Sequence, residues 1–183
     1  MLLKSLRGFT LIEMVVVIVI LSIVSVITIS FLISSTKVYT MTVNQKTLFD
    51  EGKLALERMC RDIRDSSNIT SPAGGGSGSL ITLTRTNATA QDSASENITF
   101  QLTGATLQKV KNAPTGPTSA MAGNVAAFTV TRGASNEIQL QLTLSLGTGE
   151  NVTLQTKVYP KNLADDFTAT YKNFFSNWQE LSS

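Results

Sequence analysis

The chain has 183 residues, with 15 Lys and Arg against 13 Asp and Glu, one cysteine and no histidine. This near balance of charge gives no electrostatic argument for a nucleic-acid partner. The lack of histidine excludes Ser-His-Asp and Cys-His catalysis and histidine-ligated metals, and the single Cys60 excludes an internal disulfide. We therefore predict that the chain is not an enzyme and holds no cofactor or metal.

A long apolar stretch lies near the start of the chain. Residues Met14 to Thr36 include no charged side chain. As a helix rising about 1.5 Å per residue they would reach about 35 Å, and the hydrocarbon core of a bilayer is about 30 Å thick. We predict one transmembrane helix over residues 9–36. The basic residues Lys4 and Arg7 precede it and are expected to stay in the cytoplasm, which places the rest of the chain outside the membrane.

The order of these parts differs from that of a secretory signal peptide, in which small residues for cleavage follow the apolar run. Here Gly8 stands before the run, so a cut after Gly8 would remove residues 1–8 and leave the helix on the mature chain. Glu13 is also unusual, because a charge in the middle of a spanning helix costs roughly 3 kcal/mol and such residues are functional candidates by default. We expect no partner for Glu13 inside this segment. The free amino terminus of a neighbouring copy has the right charge.

The run Arg7-Gly8-Phe9-Thr10-Leu11-Ile12-Glu13, followed by a segment rich in Val and Ile, resembles the processing motif of type IV prepilins and type II secretion pseudopilins. The resemblance implies that a prepilin peptidase cuts after Gly8, that the new terminal Phe9 is N-methylated, and that Glu13 is the carboxylate used in filament assembly. It also implies three further partners: other pilin or pseudopilin subunits, an inner-membrane assembly platform and membrane lipid. The implied location is the bacterial inner membrane, in a single pass with a periplasmic C-terminal domain.

Two positions in the span depart from the common pattern of that family. Ser22 and Ser30 stand where many pilins carry Gly and Pro, and the first proline of this chain is Pro72. Because proline is the usual cause of a helix kink, we expect an uninterrupted helix. The hydroxyls of Ser22 and Ser25 are expected to bond back to their own helix, although small residues can also let neighbouring helices approach closely. Major pilins often close a C-terminal loop with a disulfide, which one cysteine cannot form.

Residues 37–68 keep the helical period but have only one apolar face, which predicts that the same helix continues as an amphipathic half. The apolar stripe consists of Val38, Met41, Leu48, Ala55, Met59 and Ile63. The opposite face carries Lys46, Asp50, Lys53, Glu57, Arg61 and Arg64. Gly52 lowers the helix propensity by about 1 kcal/mol relative to alanine. Residues 69–79 are rich in glycine and serine, so we predict a flexible linker there.

After the linker the period changes to two, which predicts a periplasmic β-rich domain over residues 80–183. Alternating apolar residues include Ile81, Leu83, Ile98, Phe100, Leu102, Leu107, Phe128 and Val130. The clearest signal is a hairpin of residues 138–146 and 152–158 joined by Gly147-Thr148-Gly149. One face of the hairpin is apolar, and the amphipathic helix can cover this face. The predicted fold class is therefore α+β, with a long amino-terminal helix packed on an antiparallel sheet.

Two later segments extend the resemblance. Leu56 to Arg64 and Val158-Tyr159-Pro160-Lys161-Asn162-Leu163 are similar to parts of the larger minor pseudopilins and minor pilins. The resemblance implies a pilin-like fold and a structural subunit that primes or joins a type IV pilus or a type II secretion pseudopilus. The alternative is a membrane-anchored periplasmic binding module with an uncleaved signal anchor, which has no use for a cut at Gly8.

The C-terminal residues form an aromatic segment. The aromatic side chains Phe167, Tyr171, Phe174, Phe175 and Trp178 recur at helical spacing. One interpretation is a terminal helix docked on the sheet, and the other is an exposed patch that binds another subunit. Asp165 and Asp166 could cap such a helix, but two acids alone are too few to predict a calcium site.

Overall fold

The structure, a computed structural model, describes residues 8–113 and 116–163, and within them the chain forms one helix and nine strands. The helix is α1 (Leu11–Arg64). The strands are β1 (Ser66–Ser71), β2 (Ser77–Gly78), β3 (Leu80–Arg85), β4 (Asn97–Thr103), β5 (Thr106–Lys111), β6 (Thr118–Ala122), β7 (Val125–Arg132), β8 (Ile138–Ser145) and β9 (Asn151–Val158).

The contacts divide the chain into two compact units, with the boundary between Val43 and Asn44. In the first unit every described residue is exposed. Its helix contains an 18-residue window with a mean hydropathy of 3.1, long and apolar enough to cross a membrane. The hydroxyls of Ser22 and Ser25 donate to the carbonyls of Val19 and Leu21, both at 2.7 Å, as expected.

The second unit begins with the amphipathic part of α1. Its buried residues are Leu48, Gly52, Ala55, Leu56, Met59, Asp62 and Ile63, and the six charged residues predicted on the opposite face are all exposed. The predicted stripe is therefore right from Leu48 onward, whereas Val38 and Met41 are 65% and 50% exposed. The helix ends at Arg64, a few residues before the predicted end near Asn68, because the chain turns there into β1.

The strands form two antiparallel sheets, whereas the sequence predicted one. The five-stranded sheet has the order β1-β3-β4-β5-β6, and the four-stranded sheet has the order β2-β7-β8-β9. The predicted hairpin is β8 and β9, in which Leu142 pairs with Leu154. Apolar residues of α1 and of both sheets belong to one core cluster. The α+β, pilin-like architecture predicted from the sequence is therefore confirmed.

Five of the eleven residues in the Gly/Ser stretch predicted as a linker over residues 69–79 belong to strands of the sheets. Its start belongs to β1, which pairs with β3, and its end includes β2, which pairs with β7. Arg132 holds the stretch, because its Nη1 donates to the carbonyls of Ile69 at 2.8 Å and Pro72 at 3.4 Å. The segment thus joins the two sheets, since its backbone groups find strand partners there.

Gly52 marks the place where the helix comes closest to the hairpin. A Cβ atom at this position would lie 2.7 Å from Leu144 Cδ1 and 2.7 Å from Leu154 Cδ1. Two polar contacts hold the same part of the helix: Asn44 donates to Glu150 at 3.3 Å, and the Gly123 N–H donates to Glu51 at 2.6 Å. The glycine therefore allows a close approach that any side chain would hinder.

Candidate functional site: the amino-terminal motif

The first residues of the described chain lead into the helix without being packed on anything. Phe9 is 76% exposed, and α1 begins two residues later, at Leu11. A Cβ atom added to Gly8 would meet no atom of the described residues within 4 Å. The fold of the chain therefore does not itself require glycine at position 8.

Thr10 and Glu13 form a reciprocal cap at the start of α1. The Glu13 N–H donates to Thr10 Oγ1 at 3.3 Å, and the Thr10 N–H donates to Glu13 Oε2 at 3.5 Å. This is a capping box, in which a Thr and a Glu three residues later satisfy each other's backbone N–H groups. The second distance is long for an N–H···O hydrogen bond, so this half of the cap is weak.

The cap corrects the expectation that nothing inside the segment reaches Glu13. The signal was available in the sequence, because Thr10-Leu11-Ile12-Glu13 directly before an apolar run is the capping-box pattern. The partner is a neutral N–H, and no salt bridge to Glu13 is found among the described residues. The carboxylate also lies at the positive end of the helix dipole, which favours its charge.

A second group of charged side chains is buried in the domain. The guanidinium Nη1 of Arg85 bonds to Asp62 and lies 3.2 Å from Asp92 Oδ2, while Nη2 lies 3.2 Å from Asp65. Lys109 Nζ lies 3.0 Å from Asp62 and 2.5 Å from Asp92. We call these five residues, with Lys111, the charge cluster. The acids and bases neutralise one another, so the cluster fits a structural role.

Lys111 completes the charge cluster, with its Nζ 2.8 Å from Asp92 Oδ1. Burial by itself raises the pKa of Asp92, but the bonds to Lys109 and Lys111 and their charges outweigh burial and hold it below its usual value. The bond to Asp92 in turn raises the pKa of Lys111. Both shifts favour the charged forms of Asp92 and Lys111.

The charge cluster ties the end of α1 to the loop of residues 86–96 and to β5. The cluster was not predicted from the sequence, although one signal for it was present. Arg85 follows Ile81 and Leu83 at alternate positions of β3, so it points to the same buried side of the strand. A buried arginine requires partners, and these come from distant parts of the chain.

The remaining predicted site residues lie outside the described part of the chain. They are the aromatic side chains Phe167, Tyr171, Phe174, Phe175 and Trp178. Asp165 and Asp166 lie outside it as well. Both interpretations of this segment therefore stay predictions.

Comparison with known proteins identifies the amino-terminal motif. Residues 3–29 match the family model described as the prokaryotic N-terminal methylation motif. No curated protein and no solved structure matches the chain. Proteins with this motif are structural rather than catalytic, are processed by a prepilin peptidase and assemble with other pilins, and the apolar helix provides a membrane anchor. The chain therefore carries the N-terminal methylation motif of prepilin-like proteins, on a fold that is pilin-like.

Proposed function

We propose that this protein is a minor pilin or pseudopilin, a structural subunit that primes or joins a type IV pilus or a type II secretion pseudopilus. The observation that carries the proposal is the methylation motif at residues 3–29, placed at the head of a helix long and apolar enough to span a membrane. The subunit is drawn from the inner membrane by an assembly platform, and its domain lies in the periplasm.

Gly8 and Phe9 have the processing role in this proposal. The prepilin peptidase cuts after Gly8, and Phe9 becomes the methylated amino terminus. The surroundings of both residues support it, because Gly8 has open space around it and Phe9 is 76% exposed. Since the fold itself does not need a glycine here, the peptidase is the reason for it.

Glu13 has the assembly role. Its carboxylate attracts the free amino terminus of a neighbouring subunit, and a charge-assisted hydrogen bond of this kind contributes about 2 kcal/mol. The long Thr10–Glu13 bond of 3.5 Å supports this role, because the carboxylate loses little when it turns to a stronger partner. The pairing replaces a weak contact with the neutral Thr10 N–H by a contact with a charged amine. The membrane interior screens this attraction poorly.

Leader processing tests the proposal directly. In a host with an active prepilin peptidase, mass spectrometry of the full chain should find methylated Phe9 at the amino terminus. Gly8→Val should keep the leader, whereas Ser5→Val, a matched change within the leader, should be processed normally. A wild-type chain that keeps Met1 in that host would refute the proposal and favour a signal anchor that tethers a periplasmic binding module.

Three variants separate the charge of Glu13 from its capping role. Glu13→Gln keeps an acceptor for the Thr10 N–H but removes the charge, Glu13→Ala removes both, and Thr10→Ala removes only the hydroxyl that caps the helix. We expect normal insertion and cleavage for all three, and loss of cross-linking to sister subunits for Glu13→Gln and Glu13→Ala alone. If Glu13→Gln cross-links like the wild type, the carboxylate serves only the helix cap and the assembly role fails.

A further inference from the structure

An open groove runs between the amphipathic part of α1 and β9. It has a volume of about 840 Å³, and its floor includes Phe49, Leu56, Cys60, Leu154 and Thr156. Among the described strands, β9 lies at the edge of the four-stranded sheet, with β8 as its only neighbour, and this leaves the groove open. Phe49 is 45% exposed there. Part of the floor is therefore apolar surface that no described residue covers.

The rim of the groove has an excess of positive charge. It carries Lys53, Glu57, Arg61, Arg64, Asp65 and Lys161. The two acids already have partners: Glu57 lies 3.9 Å from Lys53, and Asp65 lies 3.2 Å from Arg85. Among the described residues, Arg61, Arg64 and Lys161 form no salt bridge. A ligand for this groove should thus combine apolar and acidic groups.

The described chain leaves the domain beside this groove. The Lys161 N–H donates to the Arg64 carbonyl at 3.0 Å, Asn162 lines the groove, and Leu163 is buried in the core. The sequence continues with residues 164–183. If helical, these residues would be about 30 Å long, which exceeds the distance of about 22 Å along α1 from Phe49 to Arg64.

The chemistry of residues 164–183 matches both properties of the groove. Asp165 and Asp166 stand at its start, Glu180 stands near its end, and Lys172 is its one basic residue. The aromatic residues at positions 167, 171, 174 and 178 are spaced by four, three and four, which places them on one face of a helix. An acidic segment with one aromatic face complements a basic rim around an apolar floor.

We propose that residues 164–183 bind in this groove of the same chain, with their aromatic face on its floor and their acidic start beside Arg61 and Arg64. This inference does not depend on the filament role. It favours docking of residues 164–183, which we call the tail, on their own domain over an exposed aromatic patch that binds another subunit. The tail then covers the open side of the helix, and it leaves other surfaces for contacts between subunits.

The first test uses Trp178, the only tryptophan of the chain. Phe49 and Leu54 lie on the same helix and are 45% and 47% exposed, but only Phe49 lines the groove. In the full chain in detergent micelles, Phe49→Ser should shift the Trp178 emission to longer wavelength and increase quenching by acrylamide. Leu54→Ser should leave both unchanged. Equal behaviour of the two variants would overturn the proposal, since it shows that the floor of the groove does not contact the tail.

The second test uses Cys60, which is half-buried in the groove. Burial raises the pKa of the Cys60 thiol, and the hydrogen bond with Thr156 lowers that pKa by a smaller amount. Exposure of Cys60 to solvent therefore also increases the fraction of the reactive thiolate. Removal of residues 164–183 should speed alkylation of Cys60 by about tenfold or more, as expected for loss of a protecting segment. Phe174→Ser with Trp178→Ser should act in the same direction in a chain of full length.

Two outcomes of the alkylation test would overturn the proposal. Unchanged alkylation in both variants would show that the tail does not cover the groove. Protection of the wild-type Cys60 that disappears on dilution of the micelles would show that the occupant is a second copy. Protection that is independent of concentration and lost in both variants supports the intramolecular groove.

Discussion

The two parts of α1, residues 11–43 and residues 44–64, have the same secondary structure and opposite surroundings. The first part is exposed throughout and carries no charged side chain between Met14 and Thr36, whereas the second buries one largely apolar stripe in the core and exposes most of its charges. A helix that is apolar all round needs lipid or other helices around it, and an amphipathic helix needs one apolar partner surface. The contrast shows that two parts of one continuous helix can have different requirements for their surroundings.

The hydrogen-bond partners of polar side chains also differ between the two parts of α1. In the first, Ser25 and Thr28 bond back to carbonyls of their own helix, at 2.7 and 2.8 Å. In the second, Asn44, Glu51 and Asp62 reach side chains or backbone of distant residues. The bonds of Ser25 and Thr28 stay within their own helix, whereas those of the second part connect the helix to the sheets and their loops.

The largest effect is expected where the second part is buried most deeply. Met59 is fully buried, so Met59→Asp would place an unpaired charge in the core and should lower the free energy of unfolding by about 4 kcal/mol or more. Urea unfolding of the full chain in micelles, followed by the β-sheet signal in circular dichroism, measures this change. The exposed Leu54→Asp is the control, and a similar loss in both variants would refute the assignment of the buried face.

The next largest effect is expected from the charge cluster. Arg85→Leu removes the cation that bridges Asp62, Asp65 and Asp92, and breaking a buried pair by removal of one partner costs about 3 kcal/mol. Arg58→Leu serves as the control, because Arg58 is exposed and forms no salt bridge among the described residues. If Arg85→Leu is as stable as this control, the cluster does not hold the helix to the sheet.

Asp92 allows a pH test of the same cluster. Its pKa in the folded state lies below the ordinary value of about 3.9, so its carboxylate stabilises the fold above that pH. The contribution is lost as the pH falls through the folded-state pKa. The difference in unfolding free energy between wild type and Asp92→Asn should therefore be constant near neutral pH and shrink below about pH 4.

The exposed Asp50→Asn is the control for this pH test, and it should show no such dependence. The effect of Asp92→Asn should be smaller than that of Arg85→Leu, because Asp62 keeps both of its cations. A difference for Asp92→Asn that grows toward low pH would contradict the sign of the pKa shift.

Gly52 tests whether packing overrides helix propensity in the second part of the helix. By propensity alone, Gly52→Ala should stabilise the helix by about 1 kcal/mol. The added Cβ would instead lie 2.7 Å from methyl groups of Leu144 and Leu154, and Leu144 is fully buried and cannot move freely. We expect a net destabilisation of about 1 kcal/mol.

The double variant Gly52→Ala with Leu154→Ala sharpens this test. Removal of the Leu154 methyl groups makes room for the new Cβ, so the two changes together should cost less than the sum of the single changes. Additive losses in urea unfolding would mean that the close approach at Gly52 is not what requires the glycine.

The smallest effect is expected on the exposed face. Lys53 and Glu57 lie 3.9 Å apart, with side chains 61% and 59% exposed. Glu57→Gln should change the free energy of unfolding by no more than about 0.5 kcal/mol. A loss well above that value in low salt would show that this face is in contact with another surface, in contrast to its exposure in the single chain.

Much of the molecule follows from local patterns in the sequence. The long apolar helix, the methylation motif and the stripe of Leu48, Met59 and Ile63 depend on residue type and spacing within one segment of the chain. The hairpin of β8 and β9 depends on strict alternation around a glycine turn. Such features are encoded by neighbours in the chain, so a single sequence is enough to predict them. The capping box of Thr10 and Glu13 is also encoded by near neighbours, and its pattern is present in the sequence.

Only the tertiary structure decided the division into two sheets, the use of residues 69–71 and 77–78 as strands, and the charge cluster. Asp62 and Lys109 are 47 positions apart in the chain, and Arg132 and Ile69 are 63 apart. Partners at such separations are chosen by the packing of the whole domain, and nothing in the local spacing identifies them. The groove beside β9 is the clearest case, because it depends on β9 having only β8 beside it among the described strands. The sequence by itself therefore determined the long helix, the hairpin of β8 and β9 and the position of the methylation motif, and the fold decided which distant side chains meet.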